Sequence, residues 1–279
     1  MIKACVIGWP ISHSRSPLIH NYWLKENGID GFYERIAVPS AELHSFLVAL
    51  KAAPYAGCNV TIPHKETALQ SIDHIDATVR SIGALNTVYV RNGKTYATST
   101  DGEGFLQNLS SAHPSFSASG KKIVMIGAGG SAKAIIERLL RADVTEISVV
   151  NRTLTRTNGL RDQFGPKIKV SEPNQLQDLL KTADVLINTS AQGMIGQPEL
   201  QIDLSALQPH AIVADIVYVP LKTKLIYQAE KLGLRTVPGL GMLLHQAVIG
   251  FELWFGLKPT VTEKLYHLVA RDIDPDYKP

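Results

Sequence analysis

Residues 59–65 read NVTIPHK, an apolar β-rich run that passes a threonine and a proline and ends in Lys65. In an open α/β sheet the carboxyl ends of the strands face the ligand crevice, so Thr61 and Lys65 are expected at its mouth. A second run, GAGGSA at 127–132, follows a strand and opens a helix. Its Gly127, Gly129 and Ala132 fit the G-x-G-x-x-(G/A) pattern of a dinucleotide site. Glycines there permit a tight turn and let the backbone approach a pyrophosphate, which the helix N-terminus then stabilises.

The next strand, EISVV, leads into NRTLTR at 151–156, where an NAD site would usually place an acidic residue on the ribose 2′-hydroxyl. Arginines stand there instead. Arg152 and Arg156 can pair with a 2′-phosphate that a carboxylate would repel, so the expected cofactor is NADP rather than NAD. Cations are also unfavourable at a helix start unless something anionic sits beside them.

Three further polar clusters follow strands or turns: SHSRSP at 12–17 with Ser14 and Ser16, GALNTV at 83–88 with Asn86 at a strand start, and STDGEGF at 99–105 with Asp101 at a turn. Each has an ordinary local reading. SHSRSP is an N-cap with Pro17 in the first helical turn, the other two are turn residues, a lone lysine is commonly a solvated helix start, and Gln246 is a polar break in an apolar C-terminal helix.

The elements that must position these residues alternate along the chain. KACVIG, SPLIHNYWLKENG, FYERIAV, SAELHSFLVALKAA (40–53) and AGCNVTI read as βαβ units around a parallel sheet. Asn92-Gly93 between two β-rich runs is a hairpin signal, and Gly102 and Gly104 close the unit before a short helix. SSAHPSFSASG at 110–120 is small, polar and helix-poor, the best place for a domain junction. Beyond it, strands and helices alternate from KKIVMIG to LRTV in the rhythm of a nucleotide-binding domain. The last forty residues are helical and carry no new strand.

The 279 residues favour two domains. With 45% hydrophobic and 19% charged residues the chain is ordinary for a globular protein and too apolar for disorder. Net charge is +3 with scattered basic residues, which argues against a nucleic-acid partner. No signal-peptide pattern and no membrane-spanning apolar run occurs, so a cytoplasmic protein without a membrane partner is expected. Cys5 and Cys58 sit in separate β-like runs and read as reduced core thiols; the histidines show no ligand spacing, and no metal is implied.

Taken in order, SHSRSP, NVTIPHK, GALNTV, TDGEGF, GAGGSAKAI, NRT, NTS, DIVYVP and GLGMLLHQA resemble the shikimate dehydrogenase family over nearly the whole chain. The resemblance implies an α/β protein of two domains. An N-terminal α/β substrate-binding and catalytic domain (1–104) is rejoined by C-terminal helices (239–279), around a Rossmann-type NADP-binding domain (105–238). It implies reversible NADPH-dependent reduction of 3-dehydroshikimate to shikimate, in aromatic amino acid (chorismate) biosynthesis, by a monomer or homodimer.

By the same resemblance Lys65 and Asp101 form the catalytic pair, and Ser14, Ser16, Thr61, Asn86, Tyr218 and Gln246 bind the substrate. Gly127, Ala128, Gly129, Gly130, Ser131, Asn151, Arg152, Thr153, Arg156, Thr189, Ile216 and Gly239 hold the cofactor. Hydride reaching a ketone carbon leaves an oxyanion to be stabilised and protonated, and a lysine ammonium can do both. Whether Lys65 shuttles the proton or mainly stabilises charge stays open. Asp101 would favour the charged lysine and hold its rotamer.

Departures from the family pattern are Ala97 and Ser99 in place of a glycine and an asparagine, and Ala77, beside Asp76, where an acid is frequent. They bear on fine positioning more than on reaction class. Two alternatives are a quinate/shikimate dehydrogenase using NAD and a non-catalytic sensor of shikimate-pathway ligands. NRTLTR and Ser16 speak against the first; retention of Lys65 and Asp101 speaks against the second.

Overall fold

The computed structural model describes residues 1–52 and 54–278. Ala53, the last residue of the helix expected over 40–53, and Pro279 lie outside the described residues. The chain divides into two compact units, Met1–Asp101 with Leu244–Val269, and Gly102–Leu243 with the residues from Ala270 onward.

The first unit opens with β1 (Ile2–Gly8), α1 (Ser16–Glu26), β2 (Gly31–Ala37), α2 (Leu43–Ala49), β3 (Tyr55–Val60), β4 (His74–Ile75), α3 (Ala77–Ile82), β5 (Thr87–Arg91) and β6 (Lys94–Thr98). Its sheet runs β2-β1-β3-β5-β6-β4. β1 is parallel to β2 and β3, as the βαβ pattern predicts. The sheet as a whole is mixed, because β5 is antiparallel to both β3 and β6. A two-residue connection can join only antiparallel strands, and Asn92 and Gly93 supply it with φ of 52° and 69°, the positive pair a type I′ hairpin needs.

Alternation along the strands separates two faces. Cys5, Ile7, Cys58 and Val60 pack under Leu43 and Leu47 of α2. The opposite face is aromatic. The His20 ring from α1 stacks on Tyr33 at 4.1 Å and lies 5.8 Å from Trp23 and 5.4 Å from Trp254. Trp254 Nε1 donates to the Val88 carbonyl at 2.9 Å, tying the C-terminal helical segment to β5.

The second unit contains the bulk of α4 (Asp101–Ala112), then β7 (Lys122–Ile126), α5 (Gly130–Arg141), β8 (Glu146–Val150), α6 (Leu154–Phe164), β9 (Ile168–Ser171), α7 (Leu176–Leu180), β10 (Val185–Asn188), β11 (Ile212–Asp215), α8 (Lys224–Lys231) and β12 (Arg235–Val237). α9 (Leu240–Phe255) and α10 (Glu263–Ile273) end the chain. The sheet order β9-β8-β7-β10-β11-β12 is all parallel, the doubly wound arrangement whose chain reverses direction of growth between β7 and β10. Ile123, Met125, Val185, Ile187, Ile212 and Ala214 face one core with α5. Val124, Ile126, Leu186 and Val213 face the other.

Two local expectations are corrected. Residues 99–105 do not form a turn followed by a short helix: α4 begins at Asp101 and carries both glycines inside it. Gly102 serves helix packing, since a Cβ there would collide with the Ala134 carbonyl of α5. An ion pair between Arg138 and Glu103 at 2.5 Å fixes the same contact. The helix expected from residue 40 is also shorter, a 3₁₀ turn at Ser40–Glu42 followed by α2.

Buried among aromatic rings, His20 is held neutral, its pKa lowered to about 3 by burial, which outweighs the opposing effect of Asn59. The unfolded chain therefore binds one more proton than the folded one between about pH 6.5 and 3. Stability is fully present above that window and falls by roughly 1.4 kcal/mol per pH unit within it. Chemical denaturation at pH 4 to 7 should show His20→Leu, which keeps similar bulk, losing stability less steeply with acid than the wild type; parallel slopes would contradict the assignment.

Candidate active site

β3 delivers the lysine by way of a tight turn. Thr61 N continues the strand pairing to Ile7 O at 3.0 Å, and the Thr61 carbonyl accepts from His64 N at 2.9 Å. The Lys65 carbonyl then accepts from Leu85 N at 2.9 Å, so the lysine's backbone is fastened next to Asn86. Gly8 makes the crossing possible: a Cβ there would stand 2.7 Å from Thr61 Cγ2 and 2.9 Å from the Ile62 carbonyl.

Lys65 Nζ donates to Asp101 Oδ2 at 2.5 Å, and Asn86 Nδ2 donates to Asp101 Oδ1 at 2.7 Å. Asn86 Oδ1 accepts from Thr100 N at 2.9 Å. Thr100 Oγ1 donates to Gln246 Oε1 at 3.4 Å, which brings the polar break of α9 to the same cluster. The side chains of Lys65 and Asp101 are 23% and 12% exposed, covered enough for their attraction to exceed that of a surface pair while leaving the ammonium reachable.

Ser14, on the loop after β1, and Ser16, the first residue of α1, form a pair of their own. α1 begins at Ser16, with Arg15 rather than a serine at the N-cap position and Pro17 in the first turn. Ser14 still satisfies one of the free helix-start amides, its Oγ accepting from Ser16 N at 3.3 Å, and its carbonyl accepts from Arg35 Nε at 2.7 Å. The polar side chain that holds this end is thus one residue further out than a conventional cap.

In the second unit β7 ends at Ile126, and Gly127 turns with φ +104°. A Cβ at 127 would stand 2.9 Å from both Thr189 Oγ1 and Ser190 N, so the turn tolerates only glycine. Thr189 is itself held by its N and Oγ1, each donating to the Ile126 carbonyl at 2.8 Å. Ala128 leads to Gly129, which opens α5 with no side-chain cap, and nothing lies within 4 Å of where a Cβ at Gly129 or Gly130 would be. With Ser131 in the first turn, the helix start has no side-chain cap and is uncrowded at both glycines, which fits a dinucleotide pyrophosphate.

β8 ends beside Asn151, whose Nδ2 donates to the Thr153 carbonyl at 3.1 Å and shapes the entry to α6. Thr153 stands at the N-cap without a side-chain cap, and Arg152 and Arg156 are exposed on either side of it. Ile216 N donates to the Asn188 carbonyl at 3.1 Å, and a Cβ at Gly239 would stand 2.5 Å from the Ile216 carbonyl oxygen, so only glycine fits there. Tyr218 follows on the loop after β11, in the unit of the cofactor-side residues rather than that of Lys65.

Sequence reasoning missed the buried polar residues beneath these loops. Asn188 donates to Asp215 Oδ1 at 2.9 Å and to the Gln192 carbonyl at 3.1 Å, and accepts from Ser190 N at 3.0 Å. Asp215 also accepts from Val217 N at 3.0 Å and Thr223 Oγ1 at 2.7 Å. Burial pushes its pKa up, and the three donors oppose that shift. Asn59, Thr87 and Thr100 play a comparable part beneath Lys65. The available signal was a polar residue closing or interrupting an apolar strand, as in GCNV, VLIN and IVAD.

Comparison with known proteins matches three family models. These describe a shikimate dehydrogenase substrate binding domain over residues 6–88, a shikimate / quinate 5-dehydrogenase over 110–220, and a shikimate 5'-dehydrogenase C-terminal domain over 239–262. A shikimate dehydrogenase (NADP(+)) of Nitrobacter winogradskyi is 49% identical over 97% of this chain and 96% of its own. One from Brucella abortus is 46% identical over 97% and 94%. Among solved structures, shikimate 5-dehydrogenase of Thermus thermophilus in complex with NADP(H) and shikimate shares 31% identity at a TM-score of 0.86, covering 98% of this chain and 100% of that one. Quinate dehydrogenase of Corynebacterium glutamicum in complex with NAD shares 29% at 0.88, covering 96% and 98%. Both the order of the site segments and this full-length similarity lead to one conclusion: the chain belongs to the shikimate dehydrogenase family.

Proposed function

We propose that this protein is an NADP-dependent shikimate dehydrogenase, interconverting 3-dehydroshikimate and shikimate in aromatic amino acid biosynthesis in the cytoplasm, with the substrate and acid–base groups in 1–104 and 239–279 and the cofactor in 105–238. The observation that carries the reading is the Lys65–Asp101 pair locked by Asn86. NADPH, when bound, supplies the hydride. Lys65 stabilises the oxygen of the reduced carbonyl and sits where a proton must be delivered or removed, while Asp101 holds the ammonium in place.

Ser14, Ser16, Thr61, Asn86, Tyr218 and Gln246 suit a small polyhydroxy acid, which offers little apolar area and must be read through its carboxylate and hydroxyls. A hydroxyl missing from such a site leaves a buried partner unpaired, at about 1–3 kcal/mol. Gly127 to Ser131, with Thr189, Ile216 and Gly239, would cradle the pyrophosphate and its neighbours; Asn151 and Thr153 would shape the pocket that Arg152 and Arg156 open to a 2′-phosphate.

Following NADPH absorbance with shikimate or quinate and with NADP or NAD should give fast reduction for shikimate with NADP alone; comparable rates with quinate or NAD would move the assignment to a broader quinate/shikimate dehydrogenase. Replacing both arginines, Arg152→Gln with Arg156→Gln, removes charge-assisted bonds to the phosphate. The KM for NADP should rise roughly 10- to 100-fold while that for NAD stays within about twofold. An equal rise for both cofactors would count against a 2′-phosphate site.

A further inference from the structure

A buried file of hydrogen bonds, with Thr100 Oγ1 as a side branch that accepts from Asn86 Nδ2 at 3.0 Å, runs beneath the Lys65–Asp101 pair, and its direction is forced. Asn86 Oδ1 faces a backbone N–H, that of Thr100, which can only donate; Asn86 Nδ2 must therefore face Asp101 Oδ1. Thr87 Oγ1 donates its one proton to Asn86 Oδ1 at 2.9 Å, so it accepts from Asn59 Nδ2 at 3.2 Å. Asn59 Nδ2 also donates at 3.1 Å to the Asn86 carbonyl, which can only accept. Asn59 Oδ1 is thereby turned toward Tyr33, whose hydroxyl donates to it at 2.6 Å.

The far end of the file is itself rigid. Asn21 grips the backbone of Tyr33 on the edge strand β2, accepting from its N at 3.0 Å and donating to its carbonyl at 2.8 Å. The Tyr33 ring is fixed by the His20 stack at 4.1 Å and by Trp254 at 5.7 Å. Burial holds the Tyr33 phenol well above its ordinary pKa, so it keeps the proton it donates. Tyr33 and Thr87 are fully buried, and Asn59 and Asn86 nearly so.

We infer that Tyr33 and Thr87, acting through the Asn59 and Asn86 amides, are positioning residues for the Lys65–Asp101 pair, a claim that rests on the dehydrogenase reading of that pair. By presenting an N–H to Asp101 Oδ1, the file leaves Oδ2 as the oxygen for Lys65 and so sets the place of the ammonium. Without the Tyr33 hydroxyl, Asn59 Oδ1 is a buried acceptor with no phenolic donor. Any rotation that relieves it breaks the bonds to Thr87 and to the Asn86 backbone.

Tyr33→Phe and Thr87→Val each remove one hydroxyl and keep the bulk, and each is measured in the wild-type and in the Asp101→Asn background. In the wild-type background kcat for shikimate oxidation should fall roughly 3- to 30-fold with the KM for NADP unchanged, and in the Asp101→Asn background the same substitutions should change kcat less than about twofold. Equal fold losses in both backgrounds, or a lower Tm with unchanged kcat, would overturn the inference. Wild-type protein inactive on shikimate would overturn the functional reading instead. In that event the Asp101 side-chain carboxyl NMR resonance still decides: a shift in both variants supports positioning, and an unchanged resonance refutes it.

Discussion

Both ends of the Asn86 side-chain amide are engaged by groups whose hydrogen-bonding role cannot reverse: a backbone N–H on one side and a carboxylate oxygen on the other. Its backbone carbonyl meanwhile accepts from Val60 N at 2.8 Å, across the β3–β5 pairing. Strand register, the Asp101 carboxylate and, through it, Lys65 are therefore fixed by one residue. Leu85 N, the preceding amide, holds the Lys65 carbonyl, so a slip of either strand would displace the ion pair. In a site largely sheltered from water these bonds strengthen one another, and an unpaired member is correspondingly costly.

The second unit solves the same problem with different residues. Asn188 and Asp215 stand opposite each other at the carboxyl ends of β10 and β11, and their buried contact anchors the loops carrying Thr189 on one side and Ile216 and Tyr218 on the other. At the head of α5 the arrangement is the opposite. Gly129 and Gly130 leave empty space and no cap, an arrangement that suits a phosphate, which binds bare amides rather than a helix start whose side chain already satisfies them. Rigid loops around an open cradle are what binding a charged cofactor requires.

Much of this was legible in the sequence because it depends on local patterns. Apolar alternation marked the strands, Asn92-Gly93 marked the hairpin, and GAGGSA marked the helix start. Lys65 could be placed just past a strand end because the apolar run closes before it. Asp101 was identified but given the wrong local structure, since Gly102 and Gly104 look like turn residues until the approach of Ala134 explains one of them. The Asn59–Thr87–Asn86 file was invisible for a different reason. Asn59 lies 27 residues before Asn86, and a polar residue inside an apolar run has no partner until strands pair. His20 reads as one polar position of a helix, and only the aromatic face around it shows that it must stay neutral.

On the proposed function, the ammonium of Lys65 acts on the reaction rather than only on binding. This role is tested most directly by measuring hydride transfer in a single turnover for wild type and Lys65→Met, together with shikimate affinity by calorimetry on the same proteins. Transfer should slow by roughly 100- to 10,000-fold, the range for loss of a general acid–base group, with affinity changed less than about tenfold. Transfer at close to the wild-type rate, or a loss carried wholly by shikimate affinity, would contradict that role and make Lys65 a recognition residue.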